Sequence, residues 1–154
     1  MMSGIKFCVL ESFNTGLILK LKELEIKNLG TDSAINEWQI PVFIRYGKFI
    51  IAEEKKRIIG VCQAIRAWNK PEKAFIHSFY IEKEFRNRGI GSSFLEFVLD
   101  LFRKDGISET GLTVDPANDA ALKLYKSAGF EIIKMLKDEY GRKTDRYLME
   151  VKFE

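Results

Sequence analysis

The stretch "FRNRGIGSSFLEF", residues 85–97, places Arg86, Arg88, Gly89 and Gly91 just before an apolar run. Upstream, "AFIHSFYI" has the character of a strand. Downstream, Phe94, Leu95, Val98, Leu99, Leu101 and Phe102 recur with helical spacing. The predicted arrangement is a strand, a glycine-bearing turn and a helix start. A helix N-terminus presents unpaired N–H groups and the positive end of its dipole, and glycines let an anion approach the backbone. Such a turn can hold a phosphate; the alternative is an ordinary connection in which the glycines serve only the turn. Two more specific phosphate motifs are excluded. Phe94 stands where G-x-G-x-x-G needs its third glycine, and no Gly-Lys-Ser/Thr follows to anchor magnesium.

Few other residues can do chemistry. His77 is the single histidine and there is no Cys/His cluster, so no metal site is expected. Cys8 and Cys62 lie in strand-like apolar surroundings and read as reduced core thiols, which suits a cytoplasmic setting.

The elements that must position these residues follow from periodicity and punctuation. "IKFCVL" (5–10) reads as a strand. "TGLILKLKELEIKNLG" reads as a helix capped by Thr15, with Leu17, Leu21 and Leu24 on one face and Gly30 as its stop. Asp32 or Ser33 can cap a second helix carrying Ile35, Trp38 and Ile40, which Pro41 must kink or divide. "KFIIAE" and "RIIGVCQAIRAW" form a hairpin around "EKKR", and the third strand, "AFIHSFYI", follows an Asn69–Pro71 turn. After the glycine turn comes a long helix ending near Gly106, then the strand "TGLTV". In "DPANDAALKLYKSAGF", Asp115 can cap a helix, Pro116 suits its first position, and Gly129 stands where a left-handed C-terminal residue is wanted. "FEIIKML" and "DRYLMEVKF" close the chain as two strands. The order β-α-α-β-β-β-α-β-α-β-β implies an α/β (α+β) fold with a mixed sheet, within a single domain spanning residues 1–154.

Two segments together carry a resemblance. "FYIEKEFRNRGIGSSFL" resembles the pyrophosphate signature of the GNAT superfamily of acyl-CoA-dependent N-acyltransferases, Arg/Gln-x-x-Gly-x-Gly/Ala, through Arg86, Gly89 and Gly91. "VDPANDAALKLYKSAGFE" resembles that family's second signature through Asn118, Leu124–Tyr125 and Gly129–Phe130. The element order matches over nearly the whole chain, most weakly over residues 11–48. The resemblance implies a mixed, mostly antiparallel sheet of six to seven strands flanked by about four helices, and acetyl-CoA as cosubstrate with no metal.

It also implies roles. Backbone N–H groups of Asn87, Arg88, Gly89, Ile90, Gly91 and Ser92 would hold the coenzyme A pyrophosphate, with charge added by Arg86 and Arg88. Backbone groups of Phe79, Tyr80 and Ile81 would pair with the pantetheine arm, as an open strand edge can, and the Phe79 N–H would face the oxyanion. Tyr125 is the candidate acid toward the departing thiolate. Asn118 lies almost two helical turns earlier on the same face, about 10 Å along the axis. His77 is the candidate base, sharing a strand face with Phe75, Phe79 and Ile81. Residues 75–97 are similar to spermidine/spermine acetyltransferases, but those carry a catalytic glutamate where this chain has His77. A structural histidine, a water chain as base and a tyrosine that only packs on the sheet remain open.

Composition narrows the partners. The 154 residues are 46% hydrophobic and 31% charged, with 25 basic against 22 acidic side chains and a net charge of +3. Dispersed, nearly balanced charge argues against nucleic acid, and the apolar stretches fall short of a membrane span. The expected acceptor is a small cationic amine met by Asp138, Glu139, Asp145 and Tyr140 of "KDEYGRKTDR", with aromatic surface from Trp38, Tyr46 and Trp68. A protein N-terminus or lysine is the alternative acceptor, and an acyl-CoA-binding sensor the alternative function. Homodimerisation is left open.

Overall fold

The structure is a computed structural model and describes residues 4–154. In chain order the elements are β1 (Ile5–Val9), α1 (Thr15–Leu29), α2 (Ile40–Tyr46), β2 (Lys48–Glu54), β3 (Arg57–Ala67) and β4 (Lys70–Ile81). A 3-10 turn (Lys83–Phe85) follows, then α3 (Ile90–Lys104), β5 (Glu109–Val114), α4 (Asp119–Ser127), β6 (Glu131–Leu136) and β7 (Arg146–Lys152). The expected order is the observed one. The strands form a seven-stranded sheet in the order β1-β2-β3-β4-β5-β7-β6. Pairing is antiparallel for β1/β2, β2/β3, β5/β7 and β6/β7, and parallel for β4/β5. This is the mixed, mostly antiparallel sheet with four helices that the sequence implied.

By packing, the chain divides into two compact units. The first runs to Ile65 and includes Ser78–Ile90. Its core joins Ile18, Leu21 and Leu24 of α1, spaced for one helical face, to Ile40 and Ile44 of α2 and to Phe49, Ile51, Ile58 and Val61 of β2 and β3. Each such side chain fully withdrawn from water contributes about 1.5–3 kcal/mol. The β2–β3 hairpin closes on Lys55 and Lys56, both at positive φ (47° and 66°), as a two-residue turn of the hairpin type needs. Gly60 of β3 is closely packed: a Cβ there would stand 2.6 Å from Ile81 Cδ1 and 3.2 Å from the Tyr80 carbonyl, so the Ile81 side chain would have to shift.

The second unit comprises Arg66–His77 and Gly91–Glu154. Phe94, Leu95, Val98 and Phe102 of α3, Leu112 of β5 and Met149 of β7 are buried in it. The parallel β4/β5 ladder registers Lys73↔Glu109 through Ile76↔Leu112 and stops there, although β4 runs on to Ile81 and β5 to Val114. Near its start, Glu109 accepts from Lys73 at 2.8 Å and Lys70 at 2.9 Å, and Lys73 also reaches Glu150. These two lysines hold the Glu109 carboxyl well down, at about 2.

Several local expectations are corrected. Asn14, not Thr15, caps α1, its side chain accepting from Leu17 N at 2.8 Å. Pro41 neither kinks nor divides a helix; it lies in the first turn of α2, where its missing N–H costs nothing. Pro71 belongs to β4 and not to the preceding turn, tolerated near the strand's start. Cys8 is exposed, so of the two free thiols only Cys62 is a core residue.

Candidate active site

The turn between β4 and α3 is built from exposed Arg86, Asn87, Arg88 and Gly89 and from Ile90, the buried first residue of α3. Asn87 and Gly89 both have positive φ, 63° and 75°. Left-handed residues interleaved with ordinary ones turn successive N–H groups toward a common concavity. The first N–H groups of α3 have no intrahelical partner. Gly91 sits inside the first turn of α3 and is not among the glycines at positive φ. Arg86 is held back on β4, Nε donating to the Ile81 carbonyl at 2.8 Å, and the Arg88 guanidinium lies 5.3 Å from the centre of the Phe85 ring. The backbone of this turn therefore has the form of an anion cradle, with both arginine side chains engaged beside it.

On β4, Tyr80 and Ile81 are buried and Phe79 half-buried. The Tyr80 side chain points into the first unit's core, close to buried Glu25 and Gln63. Burial lifts the Glu25 carboxyl above its ordinary value, and burial with Glu25 nearby raises the Tyr80 phenol. Any ligand contact of Tyr80 thus runs through its backbone. His77 is exposed and is the first β4 residue beyond the registered β5 ladder. Partial desolvation still lowers its imidazole pKa below 6.5, so it is neutral near pH 7.

Helix α4 positions Asn118 and Tyr125. The predicted start is displaced: Asp115 accepts from Ala117 N at 2.9 Å in the preceding loop, Pro116 lies outside the helix, and Asn118 is the cap. Its Oδ1 accepts from Ala121 N at 3.1 Å, and the residue is exposed. The C-terminus matches expectation, with Gly129 at φ 96°. Bonds from Gly129 N to the Lys126 carbonyl and from Phe130 N to the Tyr125 carbonyl close the helix. That motif brings the Phe130 and Tyr125 rings to 5.7 Å and leaves Tyr125 only 7% exposed. A groove of about 290 Å³ between α3 and α4 has Ser92 and Leu124 on opposite walls.

The β6–β7 loop is internally braced. Asp145 accepts from Asp138 N at 2.9 Å, Asp138 from Lys143 N at 2.7 Å, and Tyr140 OH shares a 2.7 Å bond with Thr113 Oγ1. With the Asp115 loop it encloses a cavity of about 560 Å³, lined by Lys137, Arg142, Lys143 and Arg146 as well as by three aspartates. Trp38, Tyr46 and Trp68 are highly exposed, and none of them lines that cavity. Sequence reading missed Glu82 and its basic partners Lys27 and Arg57, which pair within the first unit just after β4. Nothing in their spacing marks them, because they meet only in the fold.

Among the described residues no cluster of His, Cys, Asp or Glu is suited to a metal ion, and no helix is long and apolar enough to cross a membrane. The chain is 30% identical over 93 residues to an uncharacterised N-acetyltransferase of Methanocaldococcus jannaschii, covering 58% of this chain and 41% of that protein. It is 26% identical over 111 residues to an N-alpha-acetyltransferase of Sulfurisphaera tokodaii, covering 66% of each. The match therefore spans less than two thirds of either relative. A GNAT-family acetyltransferase of Elizabethkingia anophelis, whose crystal structure has acetyl-CoA bound, shares the fold at a TM-score of 0.76 and 18% identity, over 98% of this chain and 99% of that one. The sequence pattern of the acetyltransferase (GNAT) family covers residues 19–130, and the chain belongs to that family.

Proposed function

We propose that this protein is an N-acetyltransferase that moves an acetyl group from acetyl-CoA directly to a primary amine. One observation carries the reading: the turn from β4, left-handed at Asn87 and Gly89, leads straight into the open N-terminus of α3. A diphosphate fits a concavity of backbone N–H groups without a metal, because phosphate is carried and not transferred. The early end of the β4/β5 ladder supports a role for the Phe79–Ile81 backbone in pairing with the amides of a pantetheine arm.

The remaining residues supply the proton chemistry. An alkylammonium acceptor, with a reference pKa near ~10.4, must lose a proton before its nitrogen can attack the thioester carbonyl. His77, neutral at pH 7, takes that proton directly or through water. The Phe79 N–H stabilises the oxyanion of the tetrahedral adduct. Tyr125, placed by the α4 terminus, hydrogen-bonds the sulfur as the C–S bond breaks; the second proton that the adduct's nitrogen loses as the amide forms is relayed by its hydroxyl to the departing thiolate, which leaves as the thiol.

For the acceptor, a small cationic amine rested on the loop carboxylates. Asp138 and Asp145 each commit an oxygen to the loop's own backbone, which leaves Glu139 as the main support for that reading. A protein α-amine is supported by the Sulfurisphaera tokodaii relative. The two free thiols support a cytoplasmic setting. Calorimetric titration of Gly91→Ala with acetyl-CoA tests the cradle: alanine suits the helix, so a loss of about tenfold in affinity comes from the ligand meeting a Cβ. Unchanged affinity in a folded variant would contradict the reading.

A further inference from the structure

Glu82 directly follows β4 and precedes the 3-10 turn Lys83–Phe85, which leads into the Arg86–Ile90 turn, and it is 2% exposed. Its carboxylate collects donors from two other elements. Lys27 Nζ of α1 lies 3.1 Å from Oε2, Asn28 Nδ2 donates to Oε2 at 3.3 Å, and Arg57 Nη2 of β3 stands 3.7 Å from Oε1. Its own N–H donates to the Ile59 carbonyl at 2.7 Å. The same network reaches forward into the turn. Arg57 pairs with Glu84 and lies 4.9 Å from the centre of the Phe85 ring, the ring that also receives Arg88. Arg86 is tied to the carbonyl of Ile81.

A buried ion pair is a poor source of net stability, since an apolar residue of the same size often does as well. What it does supply is one fixed arrangement. Here that arrangement fixes where the chain leaves β4, and so the direction in which the following N–H groups face.

We propose that Glu82, through Lys27, Asn28 and Arg57, is a positioning residue for the diphosphate-binding turn. The proposal rests on the acetyl-CoA reading above. It therefore concerns only ligands that carry the diphosphate.

The test compares two acetyl donors, acetyl-CoA and S-acetylpantetheine, which is the same thioester without the diphosphate and the 3′-phosphoadenosine it carries. In Glu82→Gln, kcat/KM for acetyl-CoA should fall about tenfold through KM, while kcat/KM for S-acetylpantetheine stays at the wild-type level. Arg57→Gln, at a half-exposed side chain, should show the same selective loss and serves if Glu82→Gln does not fold. Equal losses with both donors, or no loss with either, would overturn the proposal by leaving Glu82 a general structural residue or an idle one. A wild-type enzyme with no preference for acetyl-CoA over S-acetylpantetheine would instead overturn the diphosphate reading beneath it.

Discussion

His77 stands on the exposed face of β4 just past the last registered pair with β5, and desolvation lowers its pKa below 6.5. A base with a depressed pKa is competent above that value and lost below it. The acidic limb of kcat/KM should therefore lie below pH 6.5, activity rising with pH through the limb, and His77→Gln should remove it. A limb left in place, with near-wild-type rate, would assign the proton to water or another group. The side-chain types that do such chemistry were legible in the sequence because few candidates exist: one histidine, and one tyrosine inside a recognisable pattern. The use of each side chain was less so. Asn118 satisfies both a ligand-contact pattern and a capping rule, and Asp115 satisfies the same rule. The loop backbone decides between the two caps, since Asp115 first closes a turn on Ala117 and the helix begins only after Asn118.

Among the elements, α4 shows how closely capping and function are joined. Its nine residues make a short helix, so the cap is a large part of its local stability. Asn118→Ala should cost about 0.5–2 kcal/mol and lower Tm, whereas Asn118→Asp keeps an acceptor for Ala121 N and should retain Tm. If acetyl-CoA affinity falls in the aspartate variant while Tm holds, the Nδ2 amide is a ligand contact; if affinity tracks Tm alone, Asn118 acts only as a cap. Element order and type were readable because helical spacing is strong in α3 and α4 and β3 is a bounded, nearly continuous apolar run. Boundaries at prolines were not. Pro41 lies in the first turn of α2 and Pro71 within β4, since proline is tolerated at a first helical turn and near a strand's start as readily as in a turn.

At the scale of the molecule, the seven-stranded mixed sheet was readable from the order of elements, because a hairpin-rich centre followed by α-crossovers admits few topologies. Contacts between distant segments were not. Glu82 with Lys27 and Arg57, and Glu109 with Lys70 and Lys73, pair charges that the sequence scatters among many exposed ones. Both networks hold the course of β4, one at each end, the strand from which the proposed site is built. The most direct measurement of the central claim follows free thiol released from acetyl-CoA with and without an amine panel of α-amino peptides, diamines and neutral amines. The acylated product is identified by mass. The account predicts that thiol appears only with an accepted amine, with one acetyl group gained per thiol, and that Tyr125→Phe lowers kcat about tenfold or more with KM for acetyl-CoA unchanged. Tight binding of acetyl-CoA with no amine-dependent thiol release from any acceptor class would contradict it, and would make the protein an acyl-CoA sensor.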